Sequence, residues 1–146
     1  VIVVVGHEAE RVRAALRGVD VSFVENPDYE RGQSTSVAAG ARVAAQRGWD
    51  AAVFALGDMP FVAPESVRAL RRAYGGGEWT VLAAAHEGER GNPVLFDARH
   101  FDALRDVEGD VGGRDLIRGE GAALVETGDP GVVRDVDRQG DLPGGE

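Results

Sequence analysis

The chain has 146 residues, and its 25 Asp and Glu residues against 16 basic residues give it a formal net charge of −9. The length predicts a single domain over residues 1–146, and the balance of 43% hydrophobic and 28% charged residues is typical of a globular protein rather than a disordered one. No apolar run approaches the roughly 20 residues that span a bilayer, and the acidity argues against nucleic acid as a partner, since phosphate contacts need a basic surface.

The first half of the chain alternates predicted strands with predicted helices. The β-branched run 1–5 is typical of a strand that is buried on both faces, as in a parallel sheet. Apolar residues at helical spacing follow it, and the alternation is then repeated twice. The predicted strands are 1–5, 21–24 and 51–56, and the predicted helices are 8–17, 34–46 and 64–74. This pattern predicts an α/β fold, a three-layer α/β/α sandwich with a mostly parallel, mixed sheet.

The pattern changes in the second half of the chain. Two predicted strands are joined by a polar segment that indicates a hairpin turn, and short helices and one more strand follow. In order, these elements are strands 80–85 and 92–96 with the turn 87–91 between them, helices 98–104 and 113–118, and strand 122–126.

Two residue types are missing from the chain, and their absence limits its chemistry. All 16 basic residues are arginine, so phosphate contacts fall to arginine, backbone N–H groups or a metal ion, and Schiff-base chemistry is excluded. Cysteine is also absent, which excludes disulfides, thiolate nucleophiles and cysteine-based metal sites. Dense carboxylates with arginine in place of lysine indicate halophilic adaptation, although a GC-rich genome also favours arginine.

Asp58 is the first candidate for a functional side chain. It follows the predicted buried strand 51–56, and ligands of open α/β sheets bind beyond the carboxyl ends of the strands. A carboxylate at that edge, between Gly57 and Pro60, is suited to holding Mg²⁺ on a nucleotide phosphate. The alternative is that Asp58 caps the next helix or forms a turn.

A second group of carboxylates lies near the C-terminus, at Asp135, Asp137 and Asp141. Asp135 and Asp137 are two residues apart, so on an extended segment their side chains point the same way and could both face a cation. Asp141 begins a predicted turn. In a chain this acidic, a solvated run of carboxylates is the competing interpretation.

Two further segments contain polar groups that suit a ligand. Asn92, beside Pro93, offers a donor and an acceptor, and the alternative is a hairpin turn leading into an edge strand. The segment 109–114 places three glycines around Asp110 and Arg114; it either holds an anion through backbone N–H groups and the guanidinium or caps a helix. The three histidines are not spaced like metal ligands, and no nucleophilic serine motif is present.

Six motifs in order and spacing make the chain similar to the MobA-like nucleotidyltransferases. The likeness is greatest to the MocA-type molybdenum cofactor cytidylyltransferases and to molybdenum cofactor guanylyltransferase-like proteins. The motifs are Gly6-His7 after the first strand, Asn26-Pro27 with 32–36 and Gly40, then 56–60, 91–96, 109–114 and 135–137. They cover nearly the whole chain, and six motifs in one order are a far stronger sign than any single tetrapeptide.

The resemblance implies a fold, a reaction and a set of site residues. The fold is that of the GT-A-like nucleotide-diphosphate-sugar transferases, and in the reaction a substrate phosphate attacks the α-phosphate of an NTP and releases pyrophosphate. Asp58 and Arg114 are the implied catalytic residues, and Asp58 and Asp137, more than Asp135, are the implied Mg²⁺ ligands. The implied binding residues are Gly32, Ser34 and Ser36 at the nucleotide base, with Asn92, Asp110 and Arg114 on the cofactor side.

The resemblance also implies the partners of the protein. They are CTP or GTP and a phosphorylated pterin, molybdopterin or molybdenum cofactor, with a molybdoenzyme as a further partner. No signal peptide is recognisable, so we expect a cytoplasmic location.

The chain departs from the family pattern at its beginning. Family members open with a strand and a Leu-Ala-Ala-Gly loop whose arginine and lysine grip the triphosphate, and this sequence has no such loop. We therefore expect the chain to lack the first strand–helix unit and to have little or no transferase activity by itself. The alternatives are a catalytically incompetent module that binds the cofactor or a partner, and a GT-A glycosyltransferase, whose Asp-x-Asp motif would stand where this chain has 57–60.

Overall fold

The computed structural model describes residues 1–106, 118 and 121–143, and in them strands and helices alternate along the chain. The strands are β1 (Ile2–Val5), β2 (Ser22–Glu25), β3 (Ala51–Phe54), β4 (Val81–His86), β5 (Glu89–Asp97) and β6 (Ala123–Glu126). The α-helices are α1 (Ala9–Ala15), α2 (Gln33–Gln46), α3 (Pro64–Gly75) and α4 (Phe101–Arg105). The predicted α/β class is confirmed. Of the predicted helix 113–118, residues 113–117 lie outside the described residues.

The described residues form two compact units. The first contains residues 1–52 and the described part of 98–119, and the second contains residues 53–97 and the described part of 120–146. Among the described helices, none combines the length and the apolar character that a membrane span requires.

The first unit contains a parallel pair of strands. Ile2 of β1 pairs with Ser22 of β2, and Val5 pairs with Glu25. Val5 is buried, but residues 2–4 are only half-buried, so the prediction of a strand buried on both faces is wrong for most of β1. The reason is that β1 is an edge strand in the sheet of the described residues, with a neighbour on one side only.

Helix α2 packs against α4 and β1 in the first unit. Ala41 and Ala44, which the helical spacing predicts on the inner face, are fully buried, and so are Phe101 and Leu104 of α4. The small side chains of α2 leave room for the large side chains of α4, and the two helices together form the core of this unit.

The second sheet has the strand order β3-β5-β4-β6, and all of it except residues 51 and 52 lies in the second unit. Strand β4 pairs antiparallel with β5 and parallel with β6, and its residues 81–85 are all buried. Helix α3 packs on β4 and β5 through Leu70, which is fully buried as its spacing predicts. Continuous burial along β4 is the pattern of a central strand that is covered on both faces.

The hairpin between β4 and β5 is tighter than the sequence suggests. Its turn consists of Glu87 and Gly88, whose φ angles are 51° and 78°, and β5 begins at Glu89. Two successive residues with positive φ form the two-residue turn whose twist matches that of the flanking strands. The predicted turn over 87–91 is therefore too long, and Asn92 lies inside β5 instead of at its start.

Candidate functional site

Asp58 lies on a loop of the second unit, residues 55–63, which we call the Asp58 loop. Strand β3 ends at Phe54, so three residues separate Asp58 from the strand that it was predicted to follow directly. The backbone N–H of Met59 donates a hydrogen bond to the carbonyl of Leu56 at 3.2 Å, and the Met59 side chain is buried. This turn leaves the Asp58 side chain exposed.

The C-terminal carboxylates lie on residues 130–137, which we call the acidic segment. It begins with the 3₁₀ turn Pro130–Val133, in which Val132 is fully buried. Asp135 and Asp137 are exposed, and Val136 between them is half-buried. The alternation agrees with the prediction that the two carboxylates point the same way.

The Asp58 loop and the acidic segment meet, and three carboxylates come together. Asp58, Asp135 and Asp137 each place one carboxylate oxygen within 4.8 Å of the other two, and we call them the acidic triad. The backbone N–H of Val136 donates a hydrogen bond to the backbone carbonyl of Asp58 at 2.7 Å. Three like charges at this separation repel one another, and a cation between them would offset that repulsion.

Asp141 has a different role from the triad. Its carboxylate accepts a hydrogen bond from the backbone N–H of Arg138 at 2.9 Å and so closes the 3₁₀ turn Gln139–Asp141. The prediction that Asp141 begins a turn is wrong, because Asp141 ends this 3₁₀ turn and its carboxylate accepts the N–H of the N-cap residue.

Tight packing holds the Asp58 loop against the acidic segment. The guanidinium of Arg134 lies 4.2 Å from the centre of the Phe61 ring, within the range of a cation–π interaction. Gly131 is buried against the backbone of Phe61, and a Cβ at Gly131 would overlap the Phe61 carbonyl oxygen. The two segments therefore touch through backbone as well as side chains.

Asp129, just before the acidic segment, hydrogen-bonds to both sides of this contact. Its Oδ2 accepts from the backbone N–H of Ala63 at 2.8 Å and from the hydroxyl of Ser66 at 2.7 Å, and its Oδ1 accepts from the N–H of Gly131 at 2.8 Å. Burial raises the pKa of the Asp129 carboxyl, but these hydrogen bonds together outweigh it and the pKa lies below its ordinary value. Sequence reasoning missed Asp129, although an Asp directly before Pro is a known sign of a turn.

The residues that are predicted to border the nucleotide base lie in the first unit, where α2 begins. Gly32 is the N-cap residue of α2. Ser34 is fully buried, and its hydroxyl has no hydrogen-bond partner among the residues that the structure describes. The hydroxyl of Ser36 accepts a hydrogen bond from the Asn26 carboxamide at 2.9 Å. The structure thus places the three predicted residues on one helix start, with Ser36 engaged in an internal contact.

Asn26, of the Asn-Pro motif, is buried and forms hydrogen bonds that stabilise the start of α2. Only 3% of the residue is exposed. Its amide nitrogen donates to the hydroxyls of Thr35 at 2.8 Å and Ser36 at 2.9 Å, and its oxygen accepts from the backbone N–H of Asp28 at 3.0 Å. The carboxamide therefore connects the loop after β2 to the first turn of α2.

A cavity of about 250 Å³ lies beside Asn26 in the first unit. It is lined by Glu25, Asn26, Pro27, Asp28, Arg31, Thr35, Ala38, Ala39, Arg42 and Arg105. Arginines and carboxylates both line the cavity, and Arg105 is already paired with Asp102. The charges of this cavity do not by themselves select a ligand of either sign.

Apart from Asp58 and Asp137, the acidic triad contains neither Asn92 nor the other predicted site residues that the structure describes. Asn92 is half-buried within β5. Arg114, predicted as catalytic, and Asp110, predicted to bind the cofactor, lie outside the described residues. Asp58 and Asp137 are accordingly the predicted residues that this structure brings together, with Asp135 as a third member.

A family model matches most of the chain. The MobA-like NTP transferase domain matches residues 1–127, which include the described strands β1–β6 and Asp58.

Two curated proteins are similar to the chain over part of their length. One is the bifunctional IPC transferase and DIPP synthase of Rubrobacter xylanophilus, 46% identical over 77 residues, which are 51% of this chain and 16% of that protein. The other is the purine catabolism protein PucB of Bacillus subtilis, 32% identical over 114 residues, which are 75% of this chain and 54% of that protein. The chain thus spans about half the length of one relative and a sixth of the other.

Two crystal structures of Rv0371c from Mycobacterium tuberculosis H37Rv are similar to most of the chain. One has a TM-score of 0.71 and 30% identity and covers 96% of this chain and 71% of that one. A second, described as a complex with manganese, has a TM-score of 0.60 and 29% identity and covers 86% of this chain and 65% of that one. The α/β fold of this chain is the fold of these proteins.

Proposed function

Because this chain belongs to the MobA-like NTP transferase family, we propose that it acts in the transfer of a nucleoside monophosphate from an NTP to a phosphorylated acceptor. The observation that carries the proposal is the acidic triad, three exposed carboxylates converging from two separate segments. In this reaction an acceptor phosphate oxygen bonds to the α-phosphorus, the bond between the α-phosphorus and the oxygen bridging to the β-phosphate breaks, and pyrophosphate leaves.

The residues of the triad fit a divalent metal ion of the Mg²⁺ or Mn²⁺ type. Carboxylate oxygens are the ligands that such hard cations prefer, and Mg²⁺ is commonly held by one or two carboxylates together with water and substrate phosphates. All three side chains are exposed, which leaves room for those further ligands. The description of Rv0371c as a manganese complex supports a divalent ion in this fold. When bound, the ion supplies neutralising charge to the phosphates.

The chain's own residues position the carboxylates of the triad and supply the side-chain cations for the phosphates. The hydrogen bond between Val136 and Asp58 holds the two carboxylate-bearing segments at a set distance by backbone alone. Lysine is absent from this chain, so arginine is the permanent side-chain cation that the chain itself can offer to a phosphate, and Arg114 is our proposal for that role. Catalysis of this kind depends on positioning and charge neutralisation, with no covalent intermediate on the protein.

The other site residues and the substrates are proposed from the motifs of the sequence. Gly32, Ser34 and Ser36 border the nucleotide base, and Asn92 and Asp110 lie toward the acceptor. The nucleotide is CTP or GTP, the acceptor is a phosphorylated pterin of the molybdenum cofactor type, the metal is Mg²⁺, and the reaction takes place in the cytoplasm.

The test is an assay of the complete protein with each NTP. CTP, GTP and ATP are supplied with Mg²⁺ or Mn²⁺ and with molybdenum cofactor, and pyrophosphate release is measured. We expect pyrophosphate release to require both the acceptor and the metal ion. Asp58→Asn should abolish this release, and Asp141→Asn should retain it. Pyrophosphate release that Asp58→Asn leaves undiminished would refute the role of the triad, and cofactor binding without any release would identify a binding module instead.

A further inference from the structure

We propose that Asp129 is a positioning residue for the acidic triad, which sets the distance between the Asp58 loop and the acidic segment. The inference rests on the proposed metal site, because it concerns the residues that hold the three carboxylates in place. Asp129 is not a member of the triad, and its own carboxylate is occupied by three hydrogen bonds from the protein.

One oxygen of Asp129 is bonded to the end of the Asp58 loop. Oδ2 accepts from the backbone N–H of Ala63, the N-cap residue of α3, and from the hydroxyl of Ser66 in its first turn. A carboxylate at a helix N-terminus also interacts favourably with the helix dipole. The rigid α3 is thereby joined to Asp129, and the Asp58 loop runs directly into that helix.

The other oxygen of Asp129 is bonded to the start of the acidic segment. Oδ1 accepts from the N–H of Gly131, and the Asp129 backbone N–H donates to the Thr127 hydroxyl at 3.2 Å. The Thr127 hydroxyl in turn donates to the carbonyl of Ala85 on the central strand β4 at 3.0 Å. Asp129 is therefore itself anchored to the sheet, and it directs the turn that carries the chain toward Asp135 and Asp137.

Two connections then fix the geometry of the triad, one on each side. Asp129 joins the segments on the α3 side, and the bond from Val136 to Asp58 joins them beside the carboxylates. Loss of the Asp129 carboxylate leaves the N–H groups of Ala63 and Gly131 without their acceptor, so the two segments can separate. Metal sites need their ligands within about 0.5 Å of the productive arrangement, so a small separation is enough to weaken binding.

The experiment is a titration of the full chain with Mn²⁺, followed by the electron paramagnetic resonance signal of the free ion. We expect Asp129→Ala to weaken Mn²⁺ binding roughly 10- to 100-fold, as is usual when a residue that orients metal ligands is removed. Ser66→Ala, which removes one of three hydrogen bonds, weakens binding less. Asp129→Asn keeps the shape and part of the acceptor capacity, and gives an intermediate affinity.

Glu126→Ala is the matched control. Glu126 also uses both carboxylate oxygens to accept backbone N–H groups, those of Glu87 at 2.7 Å and Gly88 at 3.2 Å. It interacts with the N–H of Gly128 as well, but none of these groups belongs to the Asp58 loop or to the acidic segment. It therefore tests the loss of a structural carboxylate by itself, and we expect its Mn²⁺ affinity to match that of the wild type. Stability of every variant is measured in parallel by urea denaturation.

The outcomes separate this inference from the proposed function. Equal Mn²⁺ affinity of the wild type, Asp129→Asn and Ser66→Ala would overturn the positioning role, and so would a loss of affinity in Glu126→Ala as large as in the Asp129 variants. If Asp129→Ala does not fold, the Mn²⁺ affinities of Asp129→Asn and Ser66→Ala test the positioning role. A wild-type chain that binds no Mn²⁺, or one whose binding survives Asp137→Asn, would overturn the metal site itself.

Discussion

The backbone N–H of Val136 donates a hydrogen bond to the backbone carbonyl of Asp58, with a distance of 2.7 Å between nitrogen and oxygen. Neither partner uses its side chain, so the bond persists whatever side chains stand at 58, 135 and 137. The backbone contact that positions the triad therefore does not depend on the carboxylates themselves. Substitutions at the triad should change ion binding without unfolding the second unit.

Asp58→Asn and Asp137→Asn should each reduce the affinity for Mn²⁺ by more than roughly tenfold, because each removes one charged ligand. Stability should stay the same or rise by less than about 1 kcal/mol, since the three exposed carboxylates repel one another in the absence of the ion. Mn²⁺ titration and urea denaturation of the same samples measure both effects. Asp141→Asn removes the same charge outside the triad, and an equal loss of affinity there would mean that general acidity attracts the ion.

Gly131→Ala should lower the free energy of unfolding by about 3 kcal/mol, because the new Cβ overlaps the Phe61 carbonyl and backbone cannot move aside as a flexible side chain can. Gly140→Ala is the control, since a Cβ there meets nothing within 4 Å. Chemical denaturation compares the two. Similar stabilities of the two variants would mean that the Asp58 loop and the acidic segment do not pack as closely as described.

Asn26→Ala should lower the free energy of unfolding by about 2 kcal/mol, because it leaves the N–H of Asp28 and the hydroxyls of Thr35 and Ser36 without the buried carboxamide. Gln46→Ala, at the exposed end of α2, should change stability by less than about 0.5 kcal/mol. Urea denaturation distinguishes the two. An unchanged stability in Asn26→Ala would mean that these hydrogen bonds do not stabilise the fold.

Acid should destabilise the second unit through Asp129 and Glu126. Three hydrogen bonds outweigh burial and lower the pKa of Asp129, and the N–H groups of Gly88 and Glu87 lower the pKa of Glu126. Because both pKa values are lower in the folded state, the unfolded state binds more protons as the pH falls. The stabilisation is present above about pH 5 and is lost as the pH falls through the folded-state values.

The double variant Asp129→Asn/Glu126→Gln provides the test of this pH dependence. Its free energy of unfolding should be lower than that of the wild type at pH 7, and it should fall less between pH 7 and pH 3. Urea denaturation at several pH values gives the two curves. Parallel curves would show that other carboxylates govern the acid sensitivity.

Local sequence patterns predicted most of the described elements, because strands and helices have short repeats that are visible in a few residues. The helix α2 over Gln33–Gln46 and the central strand β4 follow directly from apolar spacing. The hairpin turn was less predictable, since Glu87 adopts a positive φ that its residue type does not suggest. The burial of β1 was overestimated because burial depends on neighbouring strands, which a run of valines does not specify.

The sequence by itself determined the α/β class and the family, and it marked Asp58 and Asp137 as candidate metal ligands, because motif order and residue chemistry can be read along the chain. Only the tertiary structure decided that Asp135 joins these two residues, that Asp141 serves a turn, and that Asp129 connects the segments which carry the triad. Asp58 and Asp137 are 79 positions apart in the sequence, so their proximity follows from how the second unit folds. An aspartate that could bind a metal ion and an aspartate that accepts backbone N–H groups look alike in the sequence. Only the groups that surround each carboxylate in the folded protein distinguish the two roles.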